Sequence, residues 1–334
     1  MTLPFAVAQA EDSYSGSGTA VISDAGAMSD RVTFSMSGVS MLEAGMAYEG
    51  WLVNSGSDDK VSTGILTVVP GGGISHSWTS PDGSNLLGMY DTAVITVEPV
   101  PDDDAAPSGV IAFSDTVAGG AITHIRHLVV AAPNSDTGFL TQLQAQVDMA
   151  MMKVSEAQAA DSIAALKTAT EEAVAIIDAD GGITALAAAT EHAGFAATAA
   201  PGAEMVGQYS EMVLASGGNV SAWAAAAKDD AAAVMAEDNL DTAKTLLNIV
   251  NGKLMAAADG IEASGMGGAS DAYMQAQKMA TFTLPAPAPT AAVTPATGDT
   301  YVPAAMQIML FVALMLLIGG GAMLYRERRF SARA

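Results

Sequence analysis

Four histidines stand in a chain that has no cysteine, and three of them could act together. His124 and His127 lie three apart in Thr123-His124-Ile125-Arg126-His127-Leu128. A helix there would place both imidazoles on one face, where a metal could bridge them. His192, beside Glu191, completes such a site only if the chain folds back next to that face. The competing expectation is structural: a solvated or capping pair at a joint between two domains, with imidazoles that find backbone partners and titrate near neutral pH. The joint is the reading carried forward, with no metal assigned and His124, His127 and His192 kept as candidate ligands. A metal-dependent hydrolase using His124, His127 and an acid is the enzymatic alternative.

Other candidates are weaker. Asp178-x-Asp180-Gly181 opens like a calcium loop, but the twelfth position is Ala189 where a bidentate Glu is required, which excludes an EF-hand. Asp102, Asp103 and Asp104, between Pro101 and Pro107, read as a solvated acidic turn that could collect calcium weakly. Trp51 and Trp78 are expected in a core, the alternative being an aromatic face that binds glycans. No nucleophile elbow, Walker loop or dinucleotide fingerprint occurs, and the lack of Cys removes thiolate metal sites and thiol nucleophiles. The expectation is a protein that is not an enzyme, with no catalytic residue and no cofactor.

The elements that would position these residues follow from charge and periodicity. A chain of 334 residues predicts two or three domains. Its net charge of −23 argues against nucleic acid as a partner, because phosphate binding needs clustered Lys and Arg. The charge is uneven: the last nine residues hold four Arg against one Glu, a net of +3, which leaves −26 for the rest. Between the two lies 304–325, where Gln307 is the one strongly polar residue. About 20 apolar residues cross a bilayer as a helix, so this segment is expected to span a membrane. Arg326, Arg328, Arg329 and Arg333 follow it and place the basic tail, 326–334, in the cytoplasm. That predicts a single-pass type I protein of the plasma membrane, its ectodomain outside the cell and the lipid bilayer its first partner.

The N-terminus agrees. Ala8-Gln9-Ala10 before Glu11 reads as a signal-peptidase site, so 1–10 is expected to be the remnant of a signal peptide with a start further upstream. Residues 283–303 carry Pro at 285, 287, 289, 295 and 303 and predict an extended polyproline stalk. Within it, Thr294-Pro295-Ala296-Thr297-Gly298 resembles the LPxTG signals cut by sortases, with Thr294 where Leu is expected. Wall attachment is therefore the alternative to a retained anchor.

Two folded regions precede the stalk. Residues 11–118 are rich in Val, Ile, Thr, Ser and Gly, with candidate strands at 19–22, 31–36, 48–53, 61–69, 74–79, 93–98 and 109–113. Val32, Phe34 and Met36 alternate with Thr33 and Ser35, and Pro70-Gly71-Gly72-Gly73 supplies a turn. Seven short strands predict an antiparallel β-sandwich. After a junction at 119–134, apolar residues recur at helical spacing through 135–282, predicting an Ala-rich α-helical bundle of five or six helices. Asp161 and Ser221 are the expected N-caps, with Gly181-Gly182 and Gly217-Gly218 the expected stops. A faint repeat links Asp161 to Thr168 with Asp238 to Thr245, 77 residues on, as a duplicated helical hairpin or as chance in Ala-rich sequence. The fold class expected is thus multidomain: β-sandwich, helical bundle and one C-terminal transmembrane helix.

The first region also carries a resemblance. Tyr48-Glu49-Gly50-Trp51-Leu52-Val53, the strand Ser62-Thr63-Gly64-Ile65-Leu66, the run from Tyr90 to Pro99 and Pro107-Ser108-Gly109-Val110-Ile111 resemble the extracytoplasmic domain of anti-sigma-K (RskA-type) factors. The likeness covers roughly residues 30–115. It implies an outer domain with a role in envelope sensing or in protein and ligand contact. Those factors place a sigma-binding helical domain and a membrane span ahead of this domain; here the span follows it and the tail is nine residues, too short to clamp a sigma factor. An envelope protein or a divalent cation is the partner expected outside, and a structural cell-surface role is the alternative function.

Overall fold

The computed structural model describes residues 14–57, 59–102, 106–178 and 182–285. Among these residues the chain forms two antiparallel four-stranded sheets and eight α-helices. The strands are β1 (Ser17–Ser23), β2 (Arg31–Ser37), β3 (Met46–Val53), β4 (Lys60–Leu66), β5 (Ile74–Thr79), β6 (Thr92–Pro99), β7 (Ile111–Thr116) and β8 (Phe282–Pro285). One sheet runs β5-β2-β1-β8 and the other β4-β3-β6-β7. All seven strands expected between 19 and 113 are present, with ends shifted by a few residues.

Period-2 alternation decides which faces turn inward. Val32, Phe34 and Met36 of β2 are buried, as are Ala20 and Ile22 of β1, and they join Tyr48, Leu52, Ile95 and Phe113 of the other sheet in one core. Gly50 measures how closely the sheets approach. A Cβ there would lie 3.2 Å from the Phe34 ring and 2.5 Å from Thr63 Oγ1. The β4–β5 connection turns through Gly71 and Gly72, both at positive φ, where an L side chain would be strained. Trp51 is buried and donates from Nε1 to Thr96 Oγ1 at 2.9 Å, while Trp78 is half-buried against the core. An aromatic glycan face on these two residues is not what the fold presents.

The largest departure from the sequence reading is the end of the second region. Phe282–Pro285 is a strand, pairing antiparallel with β1 (Ser17↔Pro285, Ala20↔Phe282). The first three residues of the expected stalk, 283–285, are therefore strand instead, and 286–303 lie outside the described residues; Pro285 sits at the strand's end, where a missing N–H costs the ladder little. Thr283 N donates to Asp115 Oδ2 at 2.6 Å, so β8 also fastens the edge of the second sheet through β7. Seven of the eight helices are thus an insertion between β7 and β8 rather than a domain following the sheets, and 14–285 forms one compact unit.

Helix α1 (Leu86–Met89) lies within the sheet region, between β5 and β6; the inserted helices are α2 (Gly119–Val129), α3 (Phe139–Ala159), α4 (Ile163–Asp178), α5 (Gly182–Ala199), α6 (Glu204–Ala236), α7 (Leu240–Asp259) and α8 (Ala269–Lys278). The stretch expected as a junction is mostly α2, whose Ala121, Ile122, Ile125, Leu128 and Val129 are buried. Gly217-Gly218 does not stop a helix and Ser221 does not cap one; both lie inside α6. Gly217 is needed for packing instead, since a Cβ would come within 3.1 Å of Thr190 and 3.2 Å of Leu186 on α5. At α4 the cap is Ser162, whose Oγ accepts from Ala165 N at 3.2 Å, rather than Asp161.

The faint repeat is a structural one. Helix α3 ends at Ala159 and α6 at Ala236, while α4 begins at Ile163 and α7 at Leu240, each pair 77 positions apart. Ser162 and its counterpart Asn239 both cap, the latter accepting from Thr242 N at 3.0 Å. The buried residues correspond as well: Ala150 with Ala227, Val154 with Ala231, Ala157 with Val234, Leu166 with Ala243, Ala173 with Val250 and Ile177 with Leu254. Two like hairpins share one four-helix core, with Lys167 Nζ and Asp238 Oδ1 joined at 3.2 Å where α4 and α7 begin. Small residues at half of these positions let the helices pack closely.

Two substitutions test this packing. Phe282→Ala removes a fully buried ring from β8, and urea unfolding is expected to show a loss of about 3–5 kcal/mol. Gly217→Val forces α5 away from α6, with an expected loss of about 1–3 kcal/mol in the same measurement.

Candidate functional site

Helix α2 has two working faces. On one, Arg126 reaches back to the sheet region, donating from Nε to Leu87 O at 2.9 Å and from Nη2 to Tyr90 O at 3.1 Å. These are carbonyls at the end of α1; partial burial pushes the Arg126 guanidinium below its ordinary range, and the nearby Asp91 carboxylate opposes that shift. On the other face, one turn of helix separates His124 from His127, and both point at α5.

His192 of α5 meets them. His124 Nδ1 lies 2.9 Å from His192 Nδ1, and His127 Nδ1 lies 3.3 Å from the same atom. The three residues are half-buried, and one ligand nitrogen from each falls within 4.8 Å of the others. Phe139, at the start of α3, and Phe195, one turn beyond His192, flank the group with ring centroids 5.2 and 5.7 Å from His192. Phe195 also lies 5.3 Å from His124.

The arrangement differs from the expected joint: the imidazoles meet between α2 and α5, two of the inserted helices, and their Nδ1 partners are one another rather than backbone carbonyls. The fourth histidine is elsewhere: His76 on β5 pairs through Nε2 with Thr63 O at 2.7 Å. Asp178, first in the calcium-like sequence, is ion-paired with Lys228 at 2.7 Å, while Asp180 and Gly181 fall outside the described residues. Asp103 and Asp104 of the acidic turn also fall outside them, as do Thr294, Pro295, Ala296, Thr297, Gly298, Arg326, Arg328 and Arg329. A cavity of about 650 Å³ opens between α6 and the turn leading into α8, lined in part by Met212, Asn219, Asp259, Glu262 and Asp271; it shares no residue with the histidine group.

Chemically, three neutral imidazoles offer nitrogen lone pairs to a metal or share protons among themselves. Burial pushes His127 and His192 below the ordinary histidine range, and repulsion from the neighbouring rings adds to it; Glu191 opposes the effect at His192. Arg126 and Phe195 were not singled out from sequence. Nothing local marks Arg126 as the tie to α1, whereas Phe195, three residues past His192, could have been read from helical spacing.

The pH dependence follows in sign. With folded values below the unfolded 6.5, the unfolded chain binds more protons as pH drops, so stability present above that value is lost through the folded values. Carboxylates act in a separate, lower window: burial raises Asp30 and Asp91, but hydrogen bonds outweigh it and hold both below 3.8. With chelator present, the thermal midpoint is expected to fall between about pH 7.5 and about pH 5, and His192→Asn is expected to flatten that fall. Differential scanning calorimetry measures both. Set beside known proteins, the chain matches no family model, no curated protein and no solved structure, and the three imidazoles are the strongest chemical feature among its own described residues.

Proposed function

We propose that this chain is a non-enzymatic, membrane-anchored extracytoplasmic protein that acts in envelope sensing or in contact with a protein or ligand. In this reading the sheet region is an anti-sigma-K-like outer domain, and sigma-factor binding is not its task. The observation that carries the reading is the course of the chain out of the folded unit. The last strand, β8, is hydrogen-bonded to β1 and ends at Pro285, and the sequence then turns to Pro and Ala before 22 residues dominated by apolar side chains. A finished unit is delivered directly to a tether.

Charge supports the orientation. The acidic excess sits ahead of the apolar segment and the four tail arginines behind it, as the positive-inside rule requires of a type I protein. Among the described residues no helix is long and apolar enough to cross a membrane, and 304–325 lies outside them. A structural surface role is the second reading, favoured by the sortase-like Thr294 to Gly298 and by a fold held through many small apolar contacts.

Fractionation tests the proposal. The chain is expected to sediment with membranes, resist alkaline carbonate and dissolve in detergent, while protease added to intact cells removes the region before the span. Removing 304–334 is expected to release it. A chain extracted by carbonate, or shielded from protease until cells are broken, overturns the reading.

A further inference from the structure

We propose that His124, His127 and His192 bind one divalent transition-metal ion of the zinc, nickel or copper class through three imidazole nitrogens, leaving a further coordination position for water or an incoming ligand. The inference does not depend on membrane anchorage.

Geometry is the first support. A tetrahedral zinc site with Zn–N bonds of about 2.0–2.1 Å sets its nitrogen ligands about 3.3 Å apart. The Nδ1 atom of His192 stands 2.9 and 3.3 Å from those of His124 and His127. Two of the separations are thus already close to that spacing and one nitrogen from each ring falls within 4.8 Å of the others, so seating an ion requires the His124 and His127 rings to turn toward each other.

The second support is the cost of the cluster without a cation. The Nδ1 atoms of two rings converge on one Nδ1, which either donates one hydrogen bond or accepts one through its single lone pair, so the other neighbouring Nδ1 is left without a full partner there. Protonating more than one ring would bring like charges within about 3 Å, a strongly unfavourable spacing in a half-buried site. No carboxylate is a member of the converging group, and Glu191, beside His192, opposes that charge without outweighing it. A bound cation satisfies three inward-facing lone pairs together.

Ligand chemistry selects the class. Three imidazoles suit zinc, copper and nickel, whereas calcium and magnesium take oxygen ligands. The i, i+3 pair on α2 fixes two donors on one rigid element, and Phe139 and Phe195 confine the third. Three protein ligands are fewer than the four of a closed structural zinc site, which leaves room for an exchangeable one.

The test uses the full chain, purified in detergent and stripped with chelator, titrated calorimetrically with zinc chloride and separately with nickel and calcium chlorides. Zinc and nickel are expected to bind at one ion per chain, and calcium not to bind there. His192→Gln and His127→Gln are each expected to weaken zinc binding by at least about tenfold, the lower bound set by losses seen when even supporting residues are changed. His76→Gln is expected to leave it unchanged. Unaltered zinc affinity in both variants, or no saturable binding at one ion per chain, overturns the proposal. A readout without mutation guards against misfolded variants: cobalt(II) in the unmodified chain should give the intense visible bands of a four- or five-coordinate nitrogen site. Weak octahedral bands alone would refute it.

Discussion

The pairing of β8 with β1 is the constraint on which the rest of the molecule depends. Four residues near position 283 complete a sheet begun near position 17, so the chain between must leave the sheets and return to the same edge. That turns seven helices into an insertion with both ends pinned, which removes much of the freedom a bundle joined by one linker would keep. It also gives the helices and the sheets a common hydrophobic core. Phe282 and Leu284 are buried in the same cluster as Phe34, Leu128 and Tyr273.

Polar contacts strengthen that joint. Asp24, in the β1–β2 turn, accepts from Ser29 N at 2.7 Å and from the side chains of Tyr273 and Gln277 on α8. Gln277 also donates to Ser29 Oγ at 3.0 Å. Arg126 does the same from α2, giving a half-buried cation the carbonyls of Leu87 and Tyr90. With one face of α2 thus fixed to the sheet region, its opposite face is held at a set distance from α5. The histidine group inherits its geometry in part from Arg126, the residue beside His127, whose contacts are made by different chemistry.

The helical half solves a different problem, a core built from small side chains. Alanine contributes little apolar area per residue, so stability there requires close approach and many contacts. Repeating one hairpin 77 positions on meets that need with a single packing solution used twice, down to the paired caps Ser162 and Asn239. Gly217 belongs to the same economy of volume: it looks like a stop in the sequence and acts as a contact point for α5 in the fold.

Local periodicity was enough to read much of this. Alternation in 31–36 identified a strand because a half-buried ladder imposes period 2, and the seven strands before residue 118 followed from the same rule. Helical spacing found the bundle, and the unequal charge on either side of 304–325 argued for topology without any coordinates. Sequence also named the three histidines, since residue type and the i, i+3 spacing are local facts. What it left open was whether His192, 65 positions beyond His127, meets that pair. That depends on how α5 docks, which is set by long-range contacts such as those of Gly217 with Thr190 and Leu186. For the same reason β8 was read as stalk: four residues with a terminal proline carry no period, and only a vacant sheet edge makes them a strand.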